Sequence, residues 1–337
     1  MINSEVQSNQ YYSNPRAHFS YYEGRYKDYQ TMEIWKKVLT GHPDVFRNKI
    51  VFEVGSGLGL FSLLAVKSGA RHVYSWEPSS MVNSLQTMVK LNHADKEITV
   101  LQGPIEDISL SEKVDIIFTT NFGFGLFLDS FIPQFLYARD KFLKENGLML
   151  PSNAELFFSS AVSSSFAIKR KFDWTNVYGF DFSPIENNSI ADSSLAAVST
   201  SLIKTTSSLI CDLDFSKIST KDLNVDSVFS IKSNSEKAFH LDNFLFWFVL
   251  KFPLPDTSTQ SKLIELDTSP QATDTYFHQV EIKVPDVQGK TPIINKNDDI
   301  HGKILIRSNN DAFHPILYHI EYAINDGPMT KLQASFS

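Results

Sequence analysis

Two features of the sequence have residue types and a spacing that suit chemistry: a glycine-rich stretch, VFEVGSGLG, and an acid that follows it. Gly55, Gly57 and Gly59 come directly after an apolar run typical of a buried strand, and Glu77 lies about 20 residues further on, at the end of the next such run. Glycines let the backbone approach a ligand closely, and an acid there can accept hydrogen bonds from both ribose hydroxyls. The pattern predicts a nucleoside-binding loop or, in its simplest form, only a tight strand-to-helix turn.

The kind of nucleoside depends on the third glycine. In the dinucleotide fingerprint that glycine would stand at Leu60, so the position of Gly59 disfavours a pyrophosphate ligand. The G-x-G-x-G form, with Glu53 inside the preceding strand, indicates S-adenosylmethionine instead.

The segments that must position this loop alternate between strand and helix patterns. KIVFEV, GSGLG, LFSLLAVKSGA and RHVYSW read as strand, turn, amphipathic helix and strand. SMVNSLQTMVKLN and IPQFLYARDKFL continue the pattern as helices, and ITVLQG and VDIIFT as strands. Repeated βαβ units predict an α/β fold over residues 49–150, in which a parallel sheet is covered on both faces.

Beyond Pro151 the chain changes to segments of β-forming residues, many of which alternate apolar with polar at period two. AELFFSSAV, FLFWFVLKF, HQVEIKV and LYHIEYAI predict an antiparallel β domain. The aromatic stretch FDWTNVYGFDF, followed by Ser/Thr-rich sequence, interrupts this domain and predicts an inserted arm followed by a loop. Cys211 lies in a β segment and is expected to be a core residue and not a nucleophile.

Composition excludes several classes of protein. A chain of 337 residues suggests two domains, and its formal net charge of −7 argues against a general polyanion-binding surface. The short basic run KRK at 169–171 is expected to be a solvated edge, and His18, His72 and His93 show no metal-ligand spacing. The N-terminus has no signal-peptide pattern, and the longest apolar run is far shorter than the ~20 residues that span a bilayer. We expect a soluble protein of the cytosol or nucleus.

A series of segments through nearly the whole chain resembles one known family. AHF, VFEVGSGLG, KSGARHVYSWE, EKVDII, LYARDKFLKENGLMLP, NVYGFD and TSP follow in the order and spacing of the type I protein arginine methyltransferases. The resemblance implies a helical N-terminal segment over residues 1–48 and a Rossmann-like S-adenosylmethionine-dependent methyltransferase domain over 49–150. It further implies a β-barrel domain over 151–337, with an inserted dimerisation arm at about 170–197.

The resemblance also implies where a cofactor and a second subunit would bind. S-adenosylmethionine would contact the glycine loop, with Glu77 at the ribose and Glu106 at the adenine amine. Members of the family are active as dimers, in which the arm of one subunit supports the cofactor-binding helix of the other. The aromatic residues that match this arm are Trp174, Tyr178 and Phe180.

The chemistry of the family requires residues that this chain lacks. A guanidinium, whose pKa exceeds about 12, is held by two glutamates of a hairpin loop through paired charge-assisted hydrogen bonds. In the stretch TTNFGFGLFLDS these two positions carry Thr120 and Asp129. The histidine that supports the second acid is replaced by Tyr276, and the arginine that meets the cofactor carboxylate is replaced by Thr31.

These replacements predict a catalytically inactive paralogue, a prozyme, that joins an active arginine methyltransferase in a heterodimer or larger hetero-oligomer. Losing one carboxylate from a buried pair with a cation costs about 3–5 kcal/mol, so we expect no methyl transfer by the chain on its own. Because Thr31 removes a charge-assisted contact of about 1.5–3 kcal/mol to the cofactor, we also expect the chain on its own to hold no cofactor, and to activate its partner on Arg/Gly-rich proteins. One alternative is an active S-adenosylmethionine-dependent methyltransferase with another acceptor. The other is a non-enzymatic protein- or RNA-binding scaffold, although the acidic balance disfavours direct contact with nucleic acid. No membrane partner is expected.

Overall fold

The chain folds into a parallel α/β domain followed by an antiparallel β domain. The structure, a computed structural model, describes residues 15–163, 174–184, 193–256, 262–285, 291–308 and 316–336. Its α-helices are α1 (Phe19–Lys27), α2 (Tyr29–Thr40), α3 (Pro43–Phe46), α4 (Leu60–Lys67), α5 (Val82–Leu91) and α6 (Ile132–Phe142). The strands of the first domain are β1 (Ile50–Val54), β2 (His72–Trp76), β3 (Ile98–Leu101), β4 (Val114–Phe118) and β5 (Leu143–Leu150).

In its described ranges the second domain consists mainly of strands, with two short 3-10 turns. Its strands are β6 (Asn153–Ala161), β7 (Ser194–Ala196), β8 (Ser208–Asp214), β9 (Val225–Lys232), β10 (Phe239–His240), β11 (Asn243–Pro255), β12 (Leu263–Asp267), β13 (Gln279–Lys283), β14 (Ile293–Ile294), β15 (Asp299–Ser308), β16 (Ile316–Ile324) and β17 (Thr330–Phe336). The 3-10 turns of the described chain are Pro15–Ala17, Ile105–Asp107, Thr200–Leu202 and Thr220–Leu223.

The predicted parallel sheet is confirmed. Its strand order is β3-β2-β1-β4-β5, and every pair is parallel. All five residues of β1 are buried, as expected for a strand covered on both faces. Because the strand order reverses between β1 and β4, the loops that follow these two strands lie side by side at the carboxyl edge. In open α/β sheets this switch point is where ligands bind.

The predicted antiparallel β domain is also confirmed. One sheet has the order β7-β13-β11-β6-β8, with β12 on β11, and the other has the order β17-β16-β15-β9. The two sheets pack face to face through aromatic rings such as Phe158 and Phe229, whose centroids are 4.6 Å apart. A bridge between Thr205 and Ser233 links the edges of the two sheets, which gives the domain a barrel-like form.

Strand β11 departs from the predicted alternation. Its first eight residues are all buried, because both of its faces are covered. Phe244 faces the space between the two sheets, where its ring lies 4.9 Å from that of Phe158. Leu245 and Trp247 face the other way and pack with Phe157 and the segment 198–203. This second, smaller core explains the unbroken apolar run FLFWFVL.

The N-terminal helices are held to both domains. Trp35 of α2 is buried, and its ring lies 4.9 Å from Phe252 of β11 and 6.2 Å from Phe118 of β4. Asp28, between α1 and α2, accepts hydrogen bonds from the backbone N–H of Thr31 at 3.0 Å and of Tyr276 at 2.8 Å. The helical segment predicted for residues 1–48 is therefore present in its described part, and it lies against the carboxyl edge of the parallel sheet.

The described part of the predicted arm, residues 174–184, contains a small turn closed by a bridge between Val177 and Phe180. Near the end of the predicted arm, β7 pairs with β13 and extends the sheet. The basic run at 169–171 lies outside the described residues. Among the described helices, none has the length and apolar character that crossing a membrane requires.

Candidate functional site

The glycine loop stands at the carboxyl end of β1 in a conformation that requires its glycines. Gly55, Gly57 and Gly59 have φ angles of 78°, 56° and 85°, all in the left-handed region that other residues rarely adopt. At Gly57 space is also limiting, because a Cβ atom there would lie 2.3 Å from Cε1 of Tyr22. The close approach that the glycines permit is therefore made by a ring of the chain itself.

Glu77 lies directly after β2, at the end of the second strand, and is buried. One carboxylate oxygen accepts the backbone N–H of Gly57 at 2.7 Å, and the other accepts that of Ser79 at 2.8 Å. Both oxygens thus hold the loops around them in place. The resemblance implies that this acid meets ribose hydroxyls, whereas here its hydrogen bonds are made to the chain.

A second acid, Glu53, lies beneath the loop and is fully buried. Burial raises its pKa to about 8, although the Ser62 hydroxyl that donates to it favours the charged form. The Ser62 hydroxyl lies 2.6 Å from that of Ser75, which donates to Ser56 at 2.8 Å. This chain of hydroxyls connects the buried acid to the glycine loop, so the loop and the sheet form one hydrogen-bonded unit.

Helix α1 covers the ligand side of the glycine loop. Tyr22 is 5% exposed, and its ring lies against Gly57. Burial, and after it the nearby charge of Glu77, raises the pKa of the Tyr22 hydroxyl, which therefore stays protonated. The ring fills space that a nucleoside ligand of this loop would need.

The loop after β4, which carries TTNFGFGLFLDS, is a tight hairpin beside the glycine loop. Gly123 bridges to Leu126, and a Cβ atom at Gly123 would lie 1.3 Å from the carbonyl oxygen of Leu128. Thr120, which the resemblance aligns with the family's first glutamate, is buried at the start of this hairpin. Its carbonyl oxygen accepts a hydrogen bond from Nη2 of Arg25 on α1.

Asp129, which the resemblance aligns with the second glutamate, lies outside the cavity beside Thr120. The residue is exposed and has a φ of 56°. Tyr276 packs near this region, with its ring 5.5 Å from that of Phe124, and burial raises the pKa of its hydroxyl. The hairpin therefore has the form that the resemblance implies, without a pair of acids facing one point.

Little room remains between α1, the glycine loop and the hairpin. The cavity there has a volume of about 20 Å³, enough for about one water molecule. Five of the predicted site positions line it: Thr31, Gly55, Gly57, Thr120 and Tyr276. Small-molecule sites have volumes of roughly 300–1,000 Å³, so the residues present do not fit S-adenosylmethionine in this arrangement.

The structure does not bring Glu106, the predicted contact of the adenine amine, into this cavity. Glu106 is exposed on the 3-10 turn Ile105–Asp107, and its backbone carbonyl accepts hydrogen bonds from Lys141 and Tyr137. Gly59, in turn, faces Leu85 of α5, whose Cδ1 would lie 2.4 Å from an added Cβ atom. Glu106 and Gly59 therefore do not line the cavity.

Three residues that fill the cleft were not singled out from the sequence: Tyr22, Arg25 and Asn121. A signal for the first two exists, because positions three apart on a helix share a face. Asn121 could have been found as a polar residue just after a buried strand at the sheet edge. Its amide nitrogen donates to the carbonyl oxygen of Gly55, which ties the two loops together.

The predicted partner surface is the most exposed aromatic part of the described chain. Tyr178 is 99% exposed and Phe180 69%, whereas Trp174 is half-buried. Tyr178 has a φ of 52°, in the left-handed region, and it lies in the turn that presents these rings. Exposed apolar side chains clustered in this way mark interaction surfaces.

Other predicted features are structural. Within the described ranges no three His, Cys, Asp or Glu side chains form a group that could hold a metal ion. Cys211 is half-buried in β8, and burial raises the pKa of its thiol to about 12, which leaves it a weak nucleophile. His72 lies 2.9 Å from the hydroxyl of Thr99, on the neighbouring strand.

Comparisons with known proteins agree on the family. Residues 152–327 match the family model of the arginine methyltransferase oligomerization subdomain. Protein arginine N-methyltransferase 8-B of Danio rerio is 31% identical over 308 residues, which cover 91% of this chain and 71% of the relative. Protein arginine N-methyltransferase 1.1 of Arabidopsis thaliana is 30% identical over 325 residues, which cover 96% of this chain and 80% of the relative.

Solved structures show the same fold. A chain of the Trypanosoma brucei PRMT1 enzyme-prozyme heterotetrameric complex with AdoHcy matches with a TM-score of 0.86 at 22% identity, covering 96% of this chain and 100% of that one. Protein arginine methyltransferase 10 of Arabidopsis thaliana matches with a TM-score of 0.82 at 22% identity, covering 96% of this chain and 99% of that one. At these identities the matches establish the architecture.

Proposed function

Because the chain belongs to the protein arginine methyltransferase family, we propose that it is a catalytically inactive, regulatory member that joins an active arginine methyltransferase and raises its activity. The observation that carries the proposal is the filled cleft. Tyr22 and Arg25 occupy the ligand side of the glycine loop and the hairpin, and a cavity of about 20 Å³ is left.

The acceptor side supports the same proposal. Methyl transfer to a guanidinium requires the acceptor to be held close to the sulfonium methyl, and a misplacement of about 1 Å can cost a hundredfold in rate. Neither acid of the family's pair is present beside the cleft, since Thr120 offers a backbone carbonyl and Asp129 is exposed. The chain thus lacks the paired carboxylates that would orient an acceptor arginine.

The oligomerization subdomain and the exposed arm support the partner role. The oligomerization subdomain is matched from residue 152 to 327, and the arm within it exposes Tyr178 and Phe180. A structurally similar chain comes from an enzyme-prozyme complex, which makes such an assembly a reasonable model for this chain. In the proposed complex the arm supports the active subunit, and the active subunit binds S-adenosylmethionine and Arg/Gly-rich substrates, in the cytosol or nucleus.

A methyl-transfer assay tests this proposal. Labelled S-adenosylmethionine and an Arg/Gly-rich protein are incubated with this chain, with a catalytically competent paralogue, and with the two co-expressed. The expected result is no transfer by this chain alone and at least a tenfold gain in the mixture. Transfer by this chain alone would instead support an active enzyme with a changed acceptor, and equal rates with and without it would leave the activator role without support.

A further inference from the structure

The guanidinium of Arg25 lies where the cleft meets the hairpin after β4. Nη2 donates to the carbonyl oxygen of Thr120, and Nη1 donates to Oδ1 of Asn121 at 2.9 Å and to the hydroxyl of Tyr21 at 3.2 Å. Among the described residues, all the hydrogen-bond acceptors of this guanidinium are therefore neutral oxygens. Because no carboxylate accepts from this guanidinium, the arrangement of these neutral oxygens must account for its position.

The hairpin presents these oxygens in a fixed arrangement. The amide nitrogen of Asn121 donates to the carbonyl oxygen of Gly55, so the amide oxygen must face the guanidinium. The reverse orientation would set the amide nitrogen against the donors of the guanidinium, and the amide oxygen against the carbonyl oxygen of Gly55. Because a guanidinium is planar and carries donors in a rigid fork, two acceptors on neighbouring residues of one loop match it as they would not match an ammonium ion.

Aromatic rings complete the enclosure. The central carbon of the Arg25 guanidinium lies 5.6 Å from the ring centroid of Tyr21 and 5.7 Å from that of Phe277, both within the range of cation–π attraction. Tyr21 is on α1 and Phe277 is in the β domain, so the enclosure draws on both parts of the molecule. The result is a site shaped for a guanidinium ion.

We propose that this is a guanidinium-binding site whose occupant is the chain's own Arg25. Tyr22 and Arg25 are three residues apart and so lie on the same face of α1. One helix face fills both halves of the cleft: the Tyr22 ring covers the glycine loop and the Arg25 guanidinium occupies the hairpin. With α1 in place the site accepts no guanidinium from another protein, and the helix is held by bonds that need no cofactor.

This inference goes beyond the proposed function and does not depend on it. An internal guanidinium could fill the site whether or not the chain activates a partner enzyme, and the tests below use only the isolated full-length chain.

Chemical rescue tests the site directly. Arg25→Ala removes the guanidinium and should lower the Tm by about 5 °C. Millimolar methylguanidinium chloride should then restore at least half of that loss with a saturating dose response, since an ion that binds only the folded state raises its stability. Methylammonium chloride at the same concentration should restore none of it, because it lacks the fork.

Arg71→Ala is the matched control. Arg71 is an exposed arginine that pairs with Glu112 on the surface, so its removal should leave the Tm nearly unchanged and create nothing for methylguanidinium to fill. If Arg25→Ala has the same Tm as Arg71→Ala, or if methylguanidinium and methylammonium act equally, the proposed site does not exist.

A measurement on the unaltered protein covers the case in which Arg25→Ala fails to fold. Phenylglyoxal modifies accessible guanidinium groups, and mass spectrometry reads the rate at each arginine. Arg25 should react at least tenfold more slowly than Arg71, because its modification requires α1 to leave the cleft. Equal rates at the two arginines would overturn the proposal.

Discussion

The cleft beside the glycine loop and the predicted arm differ in how far their aromatic side chains are exposed. In the cleft, Tyr22 is 5% exposed, and its ring lies directly against Gly57. On the arm, Tyr178 is 99% exposed and has no described partner ring. The cleft is filled by side chains of the chain itself, whereas the arm exposes its aromatic side chains to solvent. A protein with this contrast is suited to contacting another protein more than to holding a small ligand.

The largest expected effect is on the arm. In the double variant Tyr178→Ala/Phe180→Ala, binding to the active paralogue should weaken by at least a hundredfold, because buried aromatic residues dominate interfaces. The Tm of the free chain should stay within about 1 °C, since both side chains are exposed. Titration calorimetry and the co-expression assay measure the two effects.

Val228→Ala is the control for the arm, because Val228 is 76% exposed on β9, away from the arm sequence. It should leave both binding and activation unchanged. If the double variant binds the active paralogue as tightly as this control does, the arm is not the contact surface and the comparison fails.

The second prediction concerns the filled cleft. Tyr22→Ala should lower the free energy of unfolding by about 3 kcal/mol, because it removes a buried aromatic ring and leaves a cavity. Tyr29→Ala, on the exposed side of α2, should change it by less than about 0.5 kcal/mol. Urea unfolding of the two variants gives the difference. A loss at Tyr22 no larger than that at Tyr29 would mean that the ring does not fill the cleft in solution.

The third prediction concerns pH. Burial raises the folded-state pKa of Glu53 from 4.5 to about 8, so the folded protein holds this proton more tightly than the unfolded chain. The stabilisation is present below pH 4.5 and is lost as the pH rises toward 8, at up to about 1.4 kcal/mol per pH unit. Glu53→Gln cannot ionise and should show a smaller decline in stability between pH 5 and 8. If urea unfolding shows the same loss of stability between pH 5 and 8 in both proteins, that loss does not come from a raised pKa of Glu53.

The smallest expected effects are at two acids that the resemblance places in the cleft. Asp129→Asn and Glu106→Ala should each change the free energy of unfolding by less than about 0.5 kcal/mol, because both side chains are exposed and Asn tolerates the positive φ of position 129. Activation of the partner in the co-expression assay should also be unchanged. Loss of activation in Asp129→Asn alone would falsify the view that the hairpin has no catalytic acid.

Much of the fold could be read from the sequence because it depends on local patterns. The run IVFEV, the glycine turn and the amphipathic helix after it give a βαβ unit wherever they occur, and the structure confirms it. The alternation beyond Pro151 likewise indicated antiparallel strands. The pairing of the short edge strand Ser194–Ala196 with β13 could not be predicted, because three residues carry too little pattern to indicate a strand.

The sequence by itself determined the glycine loop and the order of a parallel α/β region before an antiparallel β region, since each is a matter of residue identity and spacing. It also predicts that Thr120 and Asp129 replace the family's acids. The tertiary structure alone decided what fills the cleft. Tyr22 and Arg25 reach the loops after β1 and β4 only because Trp35 and Asp28 hold the N-terminal helices against both domains. Contacts between residues nearly one hundred positions apart depend on how helices pack on sheets, and no local pattern encodes that packing.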